Sequence, residues 1–363
     1  MSKGLELLFF LGRPFAPLYS TVMKAREKLY LSGALRRHEL SIPVISVGNL
    51  VLGGSGKTPT VQHLTRLLSA NGYHPAIVSR GYGGKAGQAV NIVSDGKKIF
   101  LTALLAGDEP YLLAESLPGV PVLTGTRRII PCRQAIDQFS SDVIILDDGF
   151  QHLGVTRDID IVLFDGTALA GNSRVFPGGP LREPISALCR CHAFLLTGQT
   201  KANQENTRKF SELLQQKFPE RPVFISKLST SRLQGPDGTV VKKHVTHKHF
   251  GFCGIANPSR FEKSLTDLGI QLRAFQAFKD HVQYSQAMVA NICQKAVDSG
   301  ATSLVTTEKD FVKLRSLSLQ LPLYVLHIEH EVDEFFDRFI LDSLKNRVKS
   351  SAAERREPAR DVC

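Results

Sequence analysis

The chain has 363 residues, a formal net charge of +11, and 42% hydrophobic against 22% charged residues. That length accommodates two domains with buried cores, and the composition excludes collagen-like, low-complexity and wholly disordered chains. Six cysteines in so long a chain are not the framework of a small secreted domain, and the basic balance favours anionic partners: nucleotides, nucleic acid or an acidic membrane face.

The amino-terminal run Gly4–Tyr19 is apolar but too short to span a bilayer, and Glu6, Arg13 and two prolines interrupt it. No small-residue cleavage site makes it a signal peptide. Pro17–Leu31 mixes Leu18, Val22, Leu29 and Leu31 with Lys24, Arg26 and Lys28, the pattern of a helix with one apolar and one basic side. Residues 1–33 are therefore expected to form an amphipathic, membrane-associating element.

From Pro43 onwards strand-like and helix-like segments alternate. Pro43–Leu50 reads as a strand, Pro59–Asn71 as a helix with Leu64, Leu67 and Leu68 on one face, and Pro75–Ser79 as a strand. Helices over Asp108–Ser116 and Arg127–Phe139, strands over Val143–Leu146, Ile159–Phe164 and Ala193–Thr197, and a polar helix Gln204–Lys217 follow. This alternation predicts an α/β fold, a doubly wound and mostly parallel sheet of the P-loop NTPase type, over residues 34–225. The polar stretch 226–246, with its Pro236-Asp237-Gly238 turn, is expected to be a linker or hairpin. Beyond it, strands His249–Gly254, Ser303–Thr306 and Leu323–Ile328 and helices Pro258–Leu268, Ser285–Ser299 and Glu331–Val348 predict a second, smaller α/β domain over 247–345. Residues 346–363 are polar and charged and are expected to be a disordered tail. Cys189, Cys191 and His192 lack the second cluster that a structural zinc site needs, so free thiols are expected.

Two motifs carry chemistry. Gly48-Asn49-Leu50-Val51-Leu52-Gly53-Gly54-Ser55-Gly56-Lys57-Thr58 follows the first strand and opens the first strong helix. Glycines there turn backbone N–H groups into one concavity at a helix amino terminus, which favours phosphate oxygens. Gly53, Gly54, Ser55, Gly56, Lys57 and Thr58 are the candidate ATP-binding residues, with Lys57 on the β- and γ-phosphates and the Thr58 hydroxyl on Mg2+. The loop departs from the common pattern at Val51, where glycine is usual. It also has Leu52 where the partitioning-type ATPases carry a signature lysine. The second motif is the apolar strand Val143–Leu146 ending in Asp147 and Asp148, the form of a Walker B strand. Adjacent residues of a strand alternate sides, so one of the two acids faces the metal directly.

Further runs are Ser79-Arg80-Gly81-Tyr82-Gly83, Gly107-Asp108-Glu109-Pro110, Asp147-Asp148-Gly149-Phe150-Gln151-His152 and Gly178-Gly179-Pro180-Leu181-Arg182-Glu183-Pro184. Gly254-Ile255-Ala256-Asn257-Pro258, Asp280-His281 and Thr306-Thr307-Glu308-Lys309-Asp310 come later. With the phosphate loop, this ordered set resembles the tetraacyldisaccharide 4'-kinase family over nearly the whole chain. The resemblance implies an ATP- and Mg2+-dependent kinase acting on the 4'-hydroxyl of a tetraacylated glucosamine disaccharide 1-phosphate in lipid A biosynthesis. It implies a peripheral protein on the cytoplasmic face of the bacterial inner membrane.

Residue by residue, the resemblance makes Asp108 the catalytic carboxylate and His281 its partner. Lys57 and Arg182 become charge-offsetting groups. Asp147, Asp148 and Glu183 join Thr58 at the metal, and Tyr82 contacts substrate. Val282 departs from the family's usual histidine or aromatic residue and receives no role. The expected partners are ATP, the glycolipid and an anionic membrane surface, with the chain acting as a monomer. Nucleic acid is not expected, because there is no tryptophan and only seven tyrosines, with no basic-aromatic stripe. The alternatives are a partitioning-type ATPase switch, against which Leu52 argues, or another small-molecule P-loop kinase or ligase.

Overall fold

The computed structural model describes residues 3–229, 232–241 and 248–354. Two helices, α1 (Lys3–Gly12) and α2 (Ala16–Leu31), joined by a 3-10 turn at Arg13–Phe15, precede the first strand. There follow β1 (Val44–Asn49), α3 (Lys57–Ala70), β2 (Pro75–Ser79), β3 (Asn91–Asp95), α4 (Ala103–Ala106), α5 (Asp108–Ser116) and β4 (Pro121–Thr124). Next come α6 (Ile129–Phe139), β5 (Val143–Asp147), β6 (Ile159–Asp165), β7 (Ala193–Gln199), α7 (Gln204–Lys217) and β8 (Val223–Ser229). The second half comprises β9 (Leu233–Gln234), β10 (Val240–Val241), β11 (His249–Cys253), α8 (Pro258–Asp267), β12 (Leu272–Ala277) and α9 (Gln286–Asp298). It continues with β13 (Ser303–Thr307), α10 (Glu308–Leu314), β14 (Leu323–Leu326), β15 (Glu329–Val332) and α11 (Glu334–Glu354).

The larger sheet runs in the order β15-β8-β7-β6-β1-β5-β2-β4-β3. It is parallel from β8 to β4 and antiparallel only at its edges, where β3 pairs β4 and β15 pairs β8. Continuous burial of β1, β2, β5 and β6 is what helices on both faces of a parallel sheet produce. The chain winds from β1 out to β2 and β4, returns to β5, and continues on the other side through β6, β7 and β8. Its direction thus reverses around β1, and ligands bind beyond the carboxyl ends of strands at such a reversal. The smaller sheet runs β10-β9-β14-β13-β11-β12, with parallel pairing from β14 to β12. Both sheets and their helices match the α/β reading of the sequence.

The structure departs from the sequence reading at the carboxyl end. β15 pairs β8 of the larger sheet, and α11 buries Phe336, Ile340 and Leu344 in the same core as Leu64 of α3 and Ile45 of β1. Residues 329–345, assigned from sequence to the smaller domain, therefore belong to the larger one. The i, i+4, i+8 apolar stripe guarantees a buried helix face but not which sheet receives it. The helix also runs on to Glu354, through residues expected to be tail; 355–363 lie outside the described residues. In the expected linker, β9 and β10 form a hairpin about the Pro236-Asp237-Gly238 turn, while 230–231 and 242–247 lie outside the described residues. Cys132, Cys189, Cys191, Cys253 and Cys293 are free thiols; Cys363 lies outside the described residues.

One tight contact under the phosphate loop sets a stability expectation. A Cβ on Gly48, near the end of β1, would meet Phe150 Cβ at 2.5 Å and its backbone nitrogen at 2.8 Å. Backbone cannot swing aside as a side-chain tip can. Gly48→Ala is therefore expected to destabilise the fold by about 1–3 kcal/mol, read as a Tm fall of about 2–4 °C per kcal/mol. An unchanged melting temperature would mean that Phe150 and its loop yield freely.

Candidate active site

The loop between β1 and α3 is shaped by its glycines. Gly53 and Gly56 have φ of +114° and +77°, a region that β-carbons disfavour, and Gly56 stands immediately before the first turn of α3. Asn49, wholly buried at the end of β1, donates its amide to Val51 O at 2.6 Å and to Gly53 O at 3.3 Å, and accepts from Lys57 Nζ at 3.3 Å. Val51, where glycine is usual, is buried among Phe150 and Leu181, and its backbone bridges Leu181. Leu52 N donates to Pro180 O, and Arg182 N to Leu50 O, so the 180–182 segment braces the loop from outside. The buried Ser55 hydroxyl has no hydrogen-bond partner among the described residues, while its carbonyl accepts from Thr197 Oγ1 at 2.9 Å.

The acidic pair sits directly across. Asp147 ends β5 beside Val47 of β1, is buried, and accepts from Ser79 Oγ at 3.2 Å. Burial above all, and then the charges of Glu109 and Asp148, push its carboxyl up to about 7 against the opposing charge of Lys57. Asp148 turns the other way, in the left-handed region at φ +53°. It receives Arg182 Nη1 at 2.9 and 3.0 Å and Lys57 Nζ at 3.5 Å. Burial would raise its pKa, but Lys57 and Arg182 outweigh that and hold it low. A buried carboxyl raised by neighbouring acids is an oxygen donor of the kind that suits a hard divalent cation.

Glu183, expected at the metal, holds an arginine with one carboxyl oxygen, while the other, Oε1, is buried without a hydrogen-bond partner among the described residues. Its Oε2 receives Arg190 Nη2 at 2.8 Å, and Arg190 Nη1 reaches Glu27 of α2 at 2.6 Å. A guanidinium held between two carboxylates, over the Phe150 ring at 4.6 Å, is a brace between α2 and this loop. Tyr19 OH donates to Arg182 O, and Arg26 to Gln151 O, so α2 is fixed to both motif loops. Between them lies a cleft of about 430 Å³ lined by Tyr19, Arg26, Arg80, Arg128, Asp148 and Arg182. Nε of both Arg128 and Arg182 lacks a partner among the described residues. Burial, with Arg128, Arg157, Arg26 and Arg80, drives neighbouring His152 down to about 4, which registers the positive potential of the cleft.

The smaller domain completes the site. Gly107, at φ +95°, precedes α5, and Asp108 opens that helix without capping it. Asp108 Oδ2 lies 3.1 Å from His281 Nδ1, across 173 residues of sequence. His281 itself sits at φ +59°, held by Gly254 O, and its ring meets Tyr82 edge-on at 5.7 Å. Tyr82 is otherwise 67% exposed. His281 Nε2 lies 3.3 Å from Lys309 Nζ, which also pairs with Glu109 at 3.4 Å and Asp280 at 3.6 Å. Burial pushes the Asp108 carboxyl up, but the His281 hydrogen bond and the charges of Lys313 and Lys309 prevail and hold it below the ordinary range.

The structure thus gathers Lys57, Asp148 and Arg182 at one end of the sheet, with Asp147 across from the loop, and joins Asp108, His281 and Tyr82 at the domain boundary. Glu183 Oε2 joins a brace with Arg190, and its Oε1 has no hydrogen-bond partner among the described residues. Asn49, Glu109, Lys309 and the cleft arginines Arg80 and Arg128 were not singled out from sequence. Arg80, Glu109 and Lys309, inside motif runs, and Asn49, inside the phosphate-loop run, carried some signal there; Arg128 carried none.

Comparison with known proteins identifies the family. Residues 8–345 match the family model described as Tetraacyldisaccharide-1-P 4'-kinase, LpxK. The chain is similar to the tetraacyldisaccharide 4'-kinase of Desulfotalea psychrophila, with 46% identity over 93% of this chain and 97% of the relative. That of Syntrophus aciditrophicus is 39% identical over 92% of each. Among solved structures it is similar to a crystal structure of LpxK from Aquifex aeolicus in complex with ATP. The identity there is 31% and the TM-score 0.72, over 91% of this chain and 98% of that one.

Proposed function

The chain belongs to the tetraacyldisaccharide-1-P 4'-kinase family, and from that premise we propose which residues carry the reaction and on what surface. It is an ATP-dependent kinase that phosphorylates the 4'-hydroxyl of a tetraacyldisaccharide 1-phosphate in lipid A biosynthesis. The observation that carries our reading of the site is the meeting of Lys57 and Arg182 on Asp148, in the floor of an arginine-lined cleft that α2 covers. One cleft then joins the nucleotide's terminal phosphate to the side from which a lipid arrives.

Backbone amides of residues 53–56 cradle the polyphosphate, and Lys57 leaves its resting contacts with Asn49 and Asp148 to follow the γ-phosphoryl group. Thr58 with Asp147 or Asp148 would hold Mg2+, which would offset phosphate charge. Arg182 opposes the charge that builds up on the transferring group. His281 Nδ1 and Lys313 Nζ both meet Oδ2 of Asp108, and Oδ1 has no partner among the described residues. That oxygen takes the hydroxyl proton as the sugar oxygen bonds to γ-phosphorus and the bond to the bridging oxygen of ADP breaks. Arg26, Arg80 and Arg128 supply charge for the phosphate that the acceptor already carries. Tyr82 covers the sugar, beside His281.

Membrane attachment rests on α1 and α2. Leu7, Leu8, Phe10 and Leu11 of α1, Phe15, and Leu18, Val22, Leu29 and Leu31 of α2 are exposed, and Arg13, Lys24 and Lys28 accompany them. No helix among the described residues is long and apolar enough to cross a membrane. We place this pair of helices in the interface of an anionic bilayer, the cytoplasmic face of the inner membrane, where apolar burial and charge attraction add. Leu7 and Leu11, 59% and 62% exposed one helical turn apart, contribute nothing large to folding. L7E/L11E is expected to keep its Tm and lose at least about tenfold in binding to phosphatidylglycerol vesicles, since each buried leucine is worth about 1.5–3 kcal/mol. Undiminished sedimentation with vesicles would remove α1 from the membrane contact.

The deciding assay for the whole reading combines Mg-ATP, the protein and a detergent-dispersed tetraacyldisaccharide 1-phosphate. Mass spectrometry should find one added phosphate on the lipid and none without protein. ATP consumed equally fast in the absence of lipid would favour an ATPase switch instead.

A further inference from the structure

A buried cation behind Asp108 has no place in the chemistry described so far. Lys313, on α10 of the smaller domain, lies 3.4 Å from Asp108 Oδ2 and 3.1 Å from Asp310 Oδ1. The side chains of Lys313, Asp108 and Asp310 are 2%, 3% and 0% exposed. Asp310 is itself fixed: Oδ2 accepts from Gly254 N at 2.9 Å and from Thr307 Oγ1 at 2.8 Å. The Lys313 ammonium stands 5.5 Å from the Tyr284 ring centroid, in position for a cation–π contact. Removing a charge this deep from water is unfavourable unless its partners are well placed, and one of the two here comes from the other domain.

We propose that Lys313, anchored by Asp310, is a positioning residue for Asp108: with His281 it grips Oδ2 from the smaller domain, and so turns Oδ1 toward the acceptor hydroxyl. The proposal rests on Asp108 being the proton acceptor. Two contacts on one oxygen, from the His281 ring and the Lys313 ammonium, hold the carboxylate more firmly than His281 alone. The arrangement also ties readiness of the base to domain docking, because α10 delivers Lys313 and the 280–281 turn delivers His281. Other charged groups around the carboxylate are Lys309 and Glu109, already paired with each other.

The test must separate positioning from mere structural support. Lys313→Met alone strands Asp310 as an unpaired buried charge, so K313M/D310N is used; asparagine still accepts from Gly254 N and Thr307 Oγ1. K313Q, which keeps a polar end, serves as a second variant. Both are expected to retain the wild-type KM for ATP, with kcat down on the order of 10²-fold, the scale of a small misplacement of a reacting group. In K313Q one positive charge is gone and no negative charge leaves with it, so Asp108 holds its proton to higher pH; in K313M/D310N the opposite charges leave together and the shift is smaller. The acid limb of the kcat/KM profile should therefore move upward. Wild-type kcat in both variants overturns the proposal. So does a lowered kcat with an unmoved acid limb in K313Q, which is the mark of general loosening. D108N run alongside tells the two readings apart: if it too turns over normally, Asp108 is not the base and the premise fails. If D108N is inactive while the Lys313 variants are normal, only the role of Lys313 falls.

Discussion

Asp108→Asn is expected to slow phosphoryl transfer by about 10²- to 10⁴-fold, the usual range for a lost general base, with ATP binding at the wild-type level. Asparagine is nearly isosteric and can still meet His281 Nδ1 through its carbonyl oxygen, but it cannot take a proton from a sugar hydroxyl. Folding should survive the change, because Lys313 keeps Asp310 at 3.1 Å and His281 keeps its backbone anchor on Gly254. The nucleotide loop is a separate structure on β1 and α3, so calorimetric titration with ATP should look unaltered. Single-turnover transfer to the lipid reads the chemical step without interference from product release. The direction of the pKa shift adds a second signature. Asp108 is held below the ordinary carboxylate value despite burial, so it remains ionised across the neutral range. Its function should fade only as the pH falls into the acid region. A D108N protein with near-normal single-turnover rates would transfer the role of base to another group.

Some of this site is written in local sequence and some is not, and the division follows distance along the chain. The phosphate loop was visible because its constraints are local: glycines at +φ positions, a strand before and a helix after, and a Lys-Thr pair at the helix start. The acidic pair was visible because an apolar strand ending in two carboxylates has few other uses. Val51 looked like a defect in the motif until packing explained it: it fills the space between Phe150 and Leu181, and only a fold can reveal that. Glu183 was assigned to the metal through the family resemblance alone. Its contact with Arg190, seven residues on, and through that arginine with Glu27 far upstream, follows from where α2 docks. Lys313 is an ordinary helix residue in the sequence, and Lys309, though inside the Thr306–Asp310 run, gives no sign there of its partners. They acquire meaning only when α10 is set against α5, a contact that no periodicity encodes. The destination of α11 was hidden for the same reason: its apolar stripe says that it is buried, not beneath which sheet.

Lys57→Met should produce the other large loss, and a different kinetic pattern. The ammonium rests between Asn49 Oδ1 at 3.3 Å and Asp148 Oδ1 at 3.5 Å, a partly buried charge already shared with a carboxylate. Its movement onto the β- and γ-phosphates exchanges one anion for another, so little of its interaction is lost in the resting enzyme and much is gained as charge builds on the transferring group. Removing a charged transition-state contact of this kind is worth about 3–4 kcal/mol, or about 10²- to 10³-fold in kcat. Unlike D108N, K57M should also weaken ATP binding, because the lysine touches the nucleotide in the ground state as well. Lys57→Arg is expected to rescue poorly: a planar fork cannot occupy the space of a compact ammonium between Asn49 and the loop backbone. Steady-state kinetics at saturating lipid, with ATP varied, measures both effects. Loss of kcat and a raised KM for ATP together assign Lys57 to the donor half of the site. A fall in kcat with unchanged ATP affinity, the pattern reserved for Asp108, would mean that Lys57 stays on Asp148 throughout the reaction, and that Arg182 alone meets the phosphoryl group.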